Sequence, residues 1–340
     1  MTFRQGAATG ASRNQRASLK RASNRGPSAI RSAAAPALLA VSVVAAALLA
    51  ASGGATTGGT NGRIAFAEEI AGKNQLFTIR PDGSSVAQVS HAIDALHPDW
   101  APDGQSLVFE LDRQSTAGIA VMSATGSGLQ ILTPKGFQGQ PSFSPDGKWI
   151  VYERDVAAEN NGVWLMRRDG TDARRLTRNP FRGGDGHFDT DPNFSPNGKT
   201  ITFVRIKQAE KLQALFSVGL HGSGLKQLTP YSWDVAIKHD WSPDGKLIIL
   251  TTNADFAHPG SANLVTIRPD GSDKHNLTRF TGGAKNAFAG SFSPDGTQIV
   301  FRLEQGETYS LAVVDRDGQN LRRLTTGNNK PRFIDWGTHP

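Results

Sequence analysis

Histidine and aspartate stand close together at three places in this chain of 340 residues: His97 with Asp99, His187 with Asp189 and Asp191, and His239 with Asp240. Two or three imidazoles joined by carboxylates are a ligand set for Zn²⁺ or Mn²⁺, and a metal-bound water is a competent nucleophile. His97, His187, Asp189 and His239 are therefore the candidate metal ligands. The alternative is a polar rim whose aspartates cap the starts of strands. Other chemistry is harder to place. The chain has no Cys, which removes thiol nucleophiles, thiolate metal sites and disulfides. It has no Gly-x-Ser-x-Gly elbow, the turn that carries an α/β-hydrolase serine. Gly198-Lys199-Thr200 resembles the end of a phosphate loop, but Asn193 stands where the leading glycine belongs. With no helix expected after it, that segment reads as a hairpin.

The elements that must hold these side chains repeat. An aromatic followed by Ser/Ala-Pro-Asp/Asn-Gly occurs at Trp100–Gly104, Phe143–Gly147, Phe194–Gly198, Trp241–Gly245 and Phe292–Gly296, with prolines 43, 51, 47 and 51 residues apart. Proline presets φ, Asp or Asn bonds the backbone locally, and glycine takes positive φ, so each copy is a tight turn. The residues after it (Ser106–Glu110, Trp149–Glu153, Thr200–Val204, Leu247–Thr251, Gln298–Arg302) are rich in strand formers. A second motif lies between the copies: an apolar strand, a turn around glycine, and a short strand ending in Leu-Thr or a similar pair. It occurs six times, at 76–90, 119–133, 163–177, 215–229, 264–278 and 311–325. Asp-Gly at such a turn is a strong hairpin signal, and the two copies lacking Asp keep the Gly.

Four short antiparallel strands in about 45 residues, with no helix, are the length and content of a β-propeller blade. The second motif has six copies and the first has five. The missing innermost strand is supplied by Pro331–Trp336, while Arg63–Phe66 reads as a second strand with nothing before it. The expectation is an all-β, six-bladed propeller of four-stranded blades over residues 62–340. Pairing of the C-terminal strand with the N-terminal blade would close it and remove the open sheet edges. Trp100, Phe143, Phe194, Trp241, Phe292 and Phe333 are read as the recurring inner-strand aromatic, packed between blades. Three residues before them stand His97, Gln140, Asp191, Lys238, Ala289 and Lys330. That place falls at one mouth of the central channel, so His97, Gln140, Asp191, Lys238 and Lys330 are the candidate ligand-binding residues. His187 and Asp189 are assigned to the neighbouring loop Gly183–Gly186.

Charge is segregated. Residues 1–62 hold seven basic and no acidic side chains, leaving 30 of each sign in the rest. The propeller thus lacks the basic excess that neutralises phosphates, and nucleic acid is excluded as a partner. The basic stretch leads into an apolar run, Ala33–Ala51, and then a Gly/Thr linker. This is a signal peptide, or a signal anchor spanning the membrane through residues 33–51. The leader, residues 1–61, is expected to be disordered or helical. Either reading exports the propeller to the periplasm or the cell exterior, with the membrane touched only by the N-terminal segment. The propeller is expected to be a monomer.

Phe-Ser-Pro-Asp-Gly-Lys before a hydrophobic strand, paired with Asp-Gly and Leu-Thr, resembles the PD40 (WD40-like) repeat of TolB-type propellers. Asp189-Thr190-Asp191-Pro192-Asn193-Phe194 is especially close, and the resemblance covers roughly residues 62–337. It implies a periplasmic protein–protein interaction. The sequence departs from that family in one respect: TolB-type proteins carry an α/β domain ahead of the propeller, where this sequence reads as leader and linker. PD40 propellers that precede serine peptidase domains are excluded for this chain by the absent elbow, whereas some polysaccharide-lyase propellers with similar repeats hold a metal on histidines. Two functions stand open: a non-catalytic propeller binding an envelope protein or cell-wall glycan through its channel face, or a metal-dependent glycan lyase or hydrolase. No cofactor is expected beyond a divalent metal in the second case.

Overall fold

A computed structural model describes residues 58–112, 117–133, 136–155, 161–178, 187–207, 210–252, 261–326 and 330–340. The leader up to residue 57 and the Gly183–Gly186 loop lie outside these. Among the described residues the chain forms six four-stranded antiparallel sheets and one 3-10 turn, Tyr231–Trp233. Blade 2 is built from Asp94–Trp100, Ser106–Asp112, Ala117–Ser123 and Gln130–Ile131, from the channel outwards. Blade 3 runs Gln138–Phe143, Trp149–Arg154, Gly162–Arg167 and Arg174–Arg175. Blade 4 runs His187–Phe194, Thr200–Lys207, Leu212–Gly219 and Lys226–Gln227. Blade 5 runs Asp240–Trp241, Ile248–Thr252, Asn263–Ile267 and His275–Asn276, and blade 6 runs Lys285–Phe292, Gln298–Gln305, Thr308–Asp315 and Arg322–Arg323.

Blade 1 takes its strands from both ends of the chain. Arg332–Thr338 lies innermost and pairs with Asn61–Ile70, which is followed outwards by Lys73–Ile79 and Ala87–Gln88. The expected closure is therefore present. Its register differs by three residues from the sequence reading. Trp336, not Phe333, pairs with Ile64 and occupies the buried aromatic place, at 1% exposure.

The strands are apolar on both faces because each blade is covered by two neighbours. Leu107, Val108 and Phe109 are all fully buried, as are Ile299, Val300 and Phe301. Each core cluster lies between adjacent blades, as where Ile249 and Leu264 of blade 5 meet Phe292, Phe301 and Val314 of blade 6. The two motifs have separate physical causes. In the first, the Ser144 hydroxyl donates to Asp146 Oδ1 (2.6 Å) and accepts the Trp149 N–H (2.9 Å), locking the turn to the next strand. Ser195, Ser242 and Ser293 do the same. In the second, the Thr or Ser hydroxyl accepts a third-strand N–H in all six blades, as from Val163 to Thr177 and from Leu215 to Thr229, both at 2.9 Å. The glycine of the outer hairpin is required twice over. It takes positive φ, and a Cβ at Gly126 or Gly271 would fall 2.1 or 2.2 Å from the carbonyl oxygen of Val89 or Leu228 in the preceding blade. Asp can be lost there, but Gly cannot.

Candidate binding site at the channel mouth

The residue just before each inner-strand aromatic ties its blade to the next. Asp335 Oδ2 accepts the Trp100 N–H, Asp99 Oδ2 the Phe143 N–H and Asp240 Oδ2 the Phe292 N–H, each at 2.8 Å. Ser142 donates to Asn193 Oδ1 (3.2 Å), and Asn193 donates on to the His239 carbonyl (3.2 Å). Ser291 donates to Asp240 Oδ2 (2.9 Å) and also bears on Asp335. Six short polar side chains thus form a continuous belt around the channel. Burial raises the pKa of Asp99, and the neighbouring Asp335 raises it further. Burial likewise raises Asp335, with Lys238 opposing.

Above the belt the inner strands bulge. Register shifts interrupt pairing between Leu96 and Asp99, Gly139 and Ser142, Thr190 and Asn193, Ala289 and Ser291, and on the Arg332–Asp335 stretch. A bulge re-aims a side chain out of the sheet. His97, Gln140, Asp191 and Phe333 sit there with φ of 48°, 48°, 47° and 52°, and Lys238 has φ of 111°. Non-glycine residues held at positive φ cost of order 1–3 kcal/mol each, and such strain clusters at binding sites. His97, Gln140, Asp191, Lys238 and Phe333 together line a void of about 20 Å³ on the channel axis.

The structure therefore brings four of the five candidate ligand-binding residues together. The fifth, Lys330, lies outside that void with its ammonium 4.9 Å from the Tyr309 ring. The register shift puts Phe333 in the place expected of Lys330, and its ring meets that of His97 at 3.6 Å between centroids. His187 and Asp189 also move from their expected loop. Both belong to the innermost strand of blade 4.

The four candidate metal ligands occupy separate pairings. His97 Nδ1 is 3.0 Å from Glu110 Oε2. Asp189 is fully buried and takes two bonds from Arg205, at 2.6 and 2.9 Å. His239 Nδ1 is 2.9 Å from Asp191 Oδ2, and its Nε2 is 2.8 Å from Thr202 Oγ1. His187 pairs with Lys207 at the start of its strand. Among the described residues no three His, Asp or Glu side chains stand together as a metal would require. The Asp191–His239–Thr202 chain has the connectivity of a nucleophilic triad. Thr202, however, is fully buried and also accepts the Trp241 indole N–H at 2.8 Å. No substrate reaches that hydroxyl, so the chain fastens blade 4 to blade 5.

Electrostatics divide the mouth. Glu110 and Glu153 hold the same place in the second strands of blades 2 and 3, and Gly139 makes room for Glu110: a Cβ there would fall 2.4 Å from Oε2. Burial pushes Glu153 up to about 8, with Glu110, Asp155 and Asp191 adding to the rise and a Thr190 hydrogen bond opposing it. The Thr190 hydroxyl is placed to donate to Glu153 Oε2 and to Gln140 Oε1, the latter at 2.7 Å. Burial works to raise Asp191 as well, but the His239 hydrogen bond and charge, with Lys238 and His97, hold it below the usual range. For Lys238 burial works downward, yet Asp335, Asp191, Asp240 and Asp99 together raise its pKa. On the other side stand Arg302, at the place of Glu110 and Glu153, and Arg332. Glu110, Glu153, Arg302, Arg332 and Phe288 were missed from sequence. The legible signal was a charge inside an apolar strand directly after an aromatic: Phe109-Glu110, Tyr152-Glu153, Phe301-Arg302.

Family comparison agrees with this architecture. The TolB beta propeller domain matches residues 58–182 and again 156–339. The chain belongs to the TolB β-propeller family. A Protein TolB homolog from Chlorobium luteolum is 28% identical over 281 residues, covering 82% of this chain and 60% of the relative. The chain thus spans less than two thirds of that relative's length. Among solved structures, TolB from Acinetobacter baumannii superposes with a TM-score of 0.66 at 20% identity, covering 84% of this chain and 68% of the other. A putative TolB from Agrobacterium tumefaciens gives 0.59 at 19% identity, covering 82% and 99%. At those identities the likeness speaks for the fold.

Proposed function

We propose that this TolB-family propeller is exported and binds another protein of the cell envelope through the channel mouth, without catalysing a reaction. One observation carries the reading. Turn, belt and hydroxyl positions repeat from blade to blade with the same few residue types. The mouth position carries His97, Gln140, Asp191, Lys238, Ala289 and Phe333, six different side chains on one repeated scaffold. Divergence at one position of a repeated scaffold is what reading an asymmetric partner requires. The strain retained at five of these six places points the same way. Family membership and the basic, then apolar leader support the envelope setting.

A photo-crosslinking amino acid in the full-length chain tests this. Placed at Gln140, at the mouth, it is expected to capture one envelope protein. Placed at the exposed outer-hairpin residue Leu129, it is expected to capture none. Capture from Leu129 but not from Gln140, or of wall glycan alone, would overturn the reading.

A further inference from the structure

A second cavity, of about 190 Å³, opens beside the channel void. Lys238 and Phe333 line both spaces. The rest of its wall includes Ile237, Phe288, Arg302 and Arg332, with Gln213 reaching in from blade 4. Its size is meaningful, because an apolar protein cavity of about 150 Å³ is enough to take benzene. Three cations face it, and their charges are differently engaged. Lys238 is balanced by the four aspartates around it. Arg302 has one bond to Glu304 Oε1 (2.9 Å) and lies 4.4 Å from the Phe288 ring centroid. Its Nε is buried without a partner, as is Gln213 Oε1. The Arg332 side chain makes no hydrogen bond or ion pair among the described residues, and its nearby charge adds to burial in lowering the Arg302 pKa.

On the Arg302–Arg332 side, with Glu304 paired to Arg302, about one positive charge is left over beside an apolar wall. We propose that this cavity binds a carboxylate carried on an apolar group, with the carboxylate on Arg302 and Arg332 and the apolar body against Phe288, Phe333 and Ile237. A planar carboxylate matches the guanidinium fork. A phosphate dianion would exceed the available charge and leave the apolar wall uncovered. The inference concerns ligand chemistry and holds whether the carboxylate belongs to a free acid or to an acidic side chain of a partner.

Calorimetric titration of the full-length chain with 4-phenylbutyrate tests it, using 4-phenylbutylamine and inorganic phosphate as controls. The acid is expected to saturate with a Kd on the order of 1 mM, given its few heavy atoms. The amine and phosphate should bind at least about tenfold more weakly. Arg332→Gln should weaken the acid about tenfold and leave the amine unchanged, the size expected for a lost charge-assisted contact. Equal binding of acid and amine, phosphate competing as well as the acid, or an unaltered affinity in Arg332→Gln would each overturn the proposal. The acid–amine comparison needs no variant, so it stands if the substitution disturbs folding. A blocked leucine–glutamate dipeptide separates the sources. Binding comparable to the acid assigns the site to a partner's side chain, binding of the acid alone assigns a free acid, and binding of neither overturns the proposal. A failed crosslink at Gln140 leaves this result unaffected.

Discussion

The two sides of the channel mouth are built from the same repeat and hold opposite charge. On blades 2 and 3 the second-strand place carries Glu110 and Glu153, and the mouth side chains of blades 2 to 4 are each closed into a bond: His97 to Glu110, Gln140 to Thr190, Asp191 to His239. The void there holds about 20 Å³, room for little more than a single water. On blades 6 and 1 the corresponding region carries Arg302 and Arg332 beside Phe288 and a cavity of about 190 Å³. A polar network that is fully bonded specifies and stiffens structure, whereas donors left facing an open apolar space are poised for a ligand. The repeat supplies the scaffold on both sides. Which side is structural and which is receptive depends on the few residues placed at the bulge and one strand further out.

That contrast can be broken from the closed side. His239→Ala removes the buried hydrogen-bond partner of Asp191, and leaving a buried carboxylate short of a partner costs about 3 kcal/mol. A urea melt of the variant should show a lowered midpoint with the slope kept. Little change in the midpoint would mean that this side is not held by its ion pairs. A smaller effect is expected at Glu153. Its folded-state pKa of about 8 lies above the ordinary 4.5, so the folded chain holds a proton that the unfolded chain releases. The associated stability is complete below pH 4.5 and is lost as pH rises through about 8. Glu153→Gln keeps an acceptor for the Thr190 hydroxyl and should make the protein more stable above pH 8, by on the order of 1–2 kcal/mol after allowance for partial solvent access. Below pH 4.5 the two should melt alike. Parallel pH profiles would show that Glu153 does not carry the proton. On the open side Arg332→Gln should change stability by less than about 0.5 kcal/mol, as for a half-exposed group with no bonded partner. A larger loss would show that Arg332 braces the closing strand.

Legibility followed the repeat. The turn serine and aspartate, the hairpin glycine and the Leu-Thr hydroxyl act within one or two strands, so their types recur and can be counted. The mouth residues His97, Gln140, Asp191 and Lys238 could be aligned because each stands three residues before an aromatic that itself recurs. The same rule failed at the last strand, where Phe333 and Trp336 both fit an aromatic place. A bulge adds a residue without a sequence mark, and a shift of register changes which side chains meet the channel. Asp335-Trp336, matching Asp99-Trp100 and Asp240-Trp241, was the signal that would have fixed it.

The order of residues alone determined six all-strand blades closed head to tail, since hairpin chemistry and apolar strand runs are local and repeat six times. It also determined that the leader carries the net charge. Tertiary structure decided which histidines meet which carboxylates, because partners such as Asp191 and His239 stand 48 positions apart and meet only when neighbouring blades close. It decided too that Thr202 is sealed in, and that Arg302, Arg332 and Phe288 share one cavity. Such juxtapositions depend on ring curvature and bulge direction, which arise from packing blade against blade and leave no periodic trace in the chain.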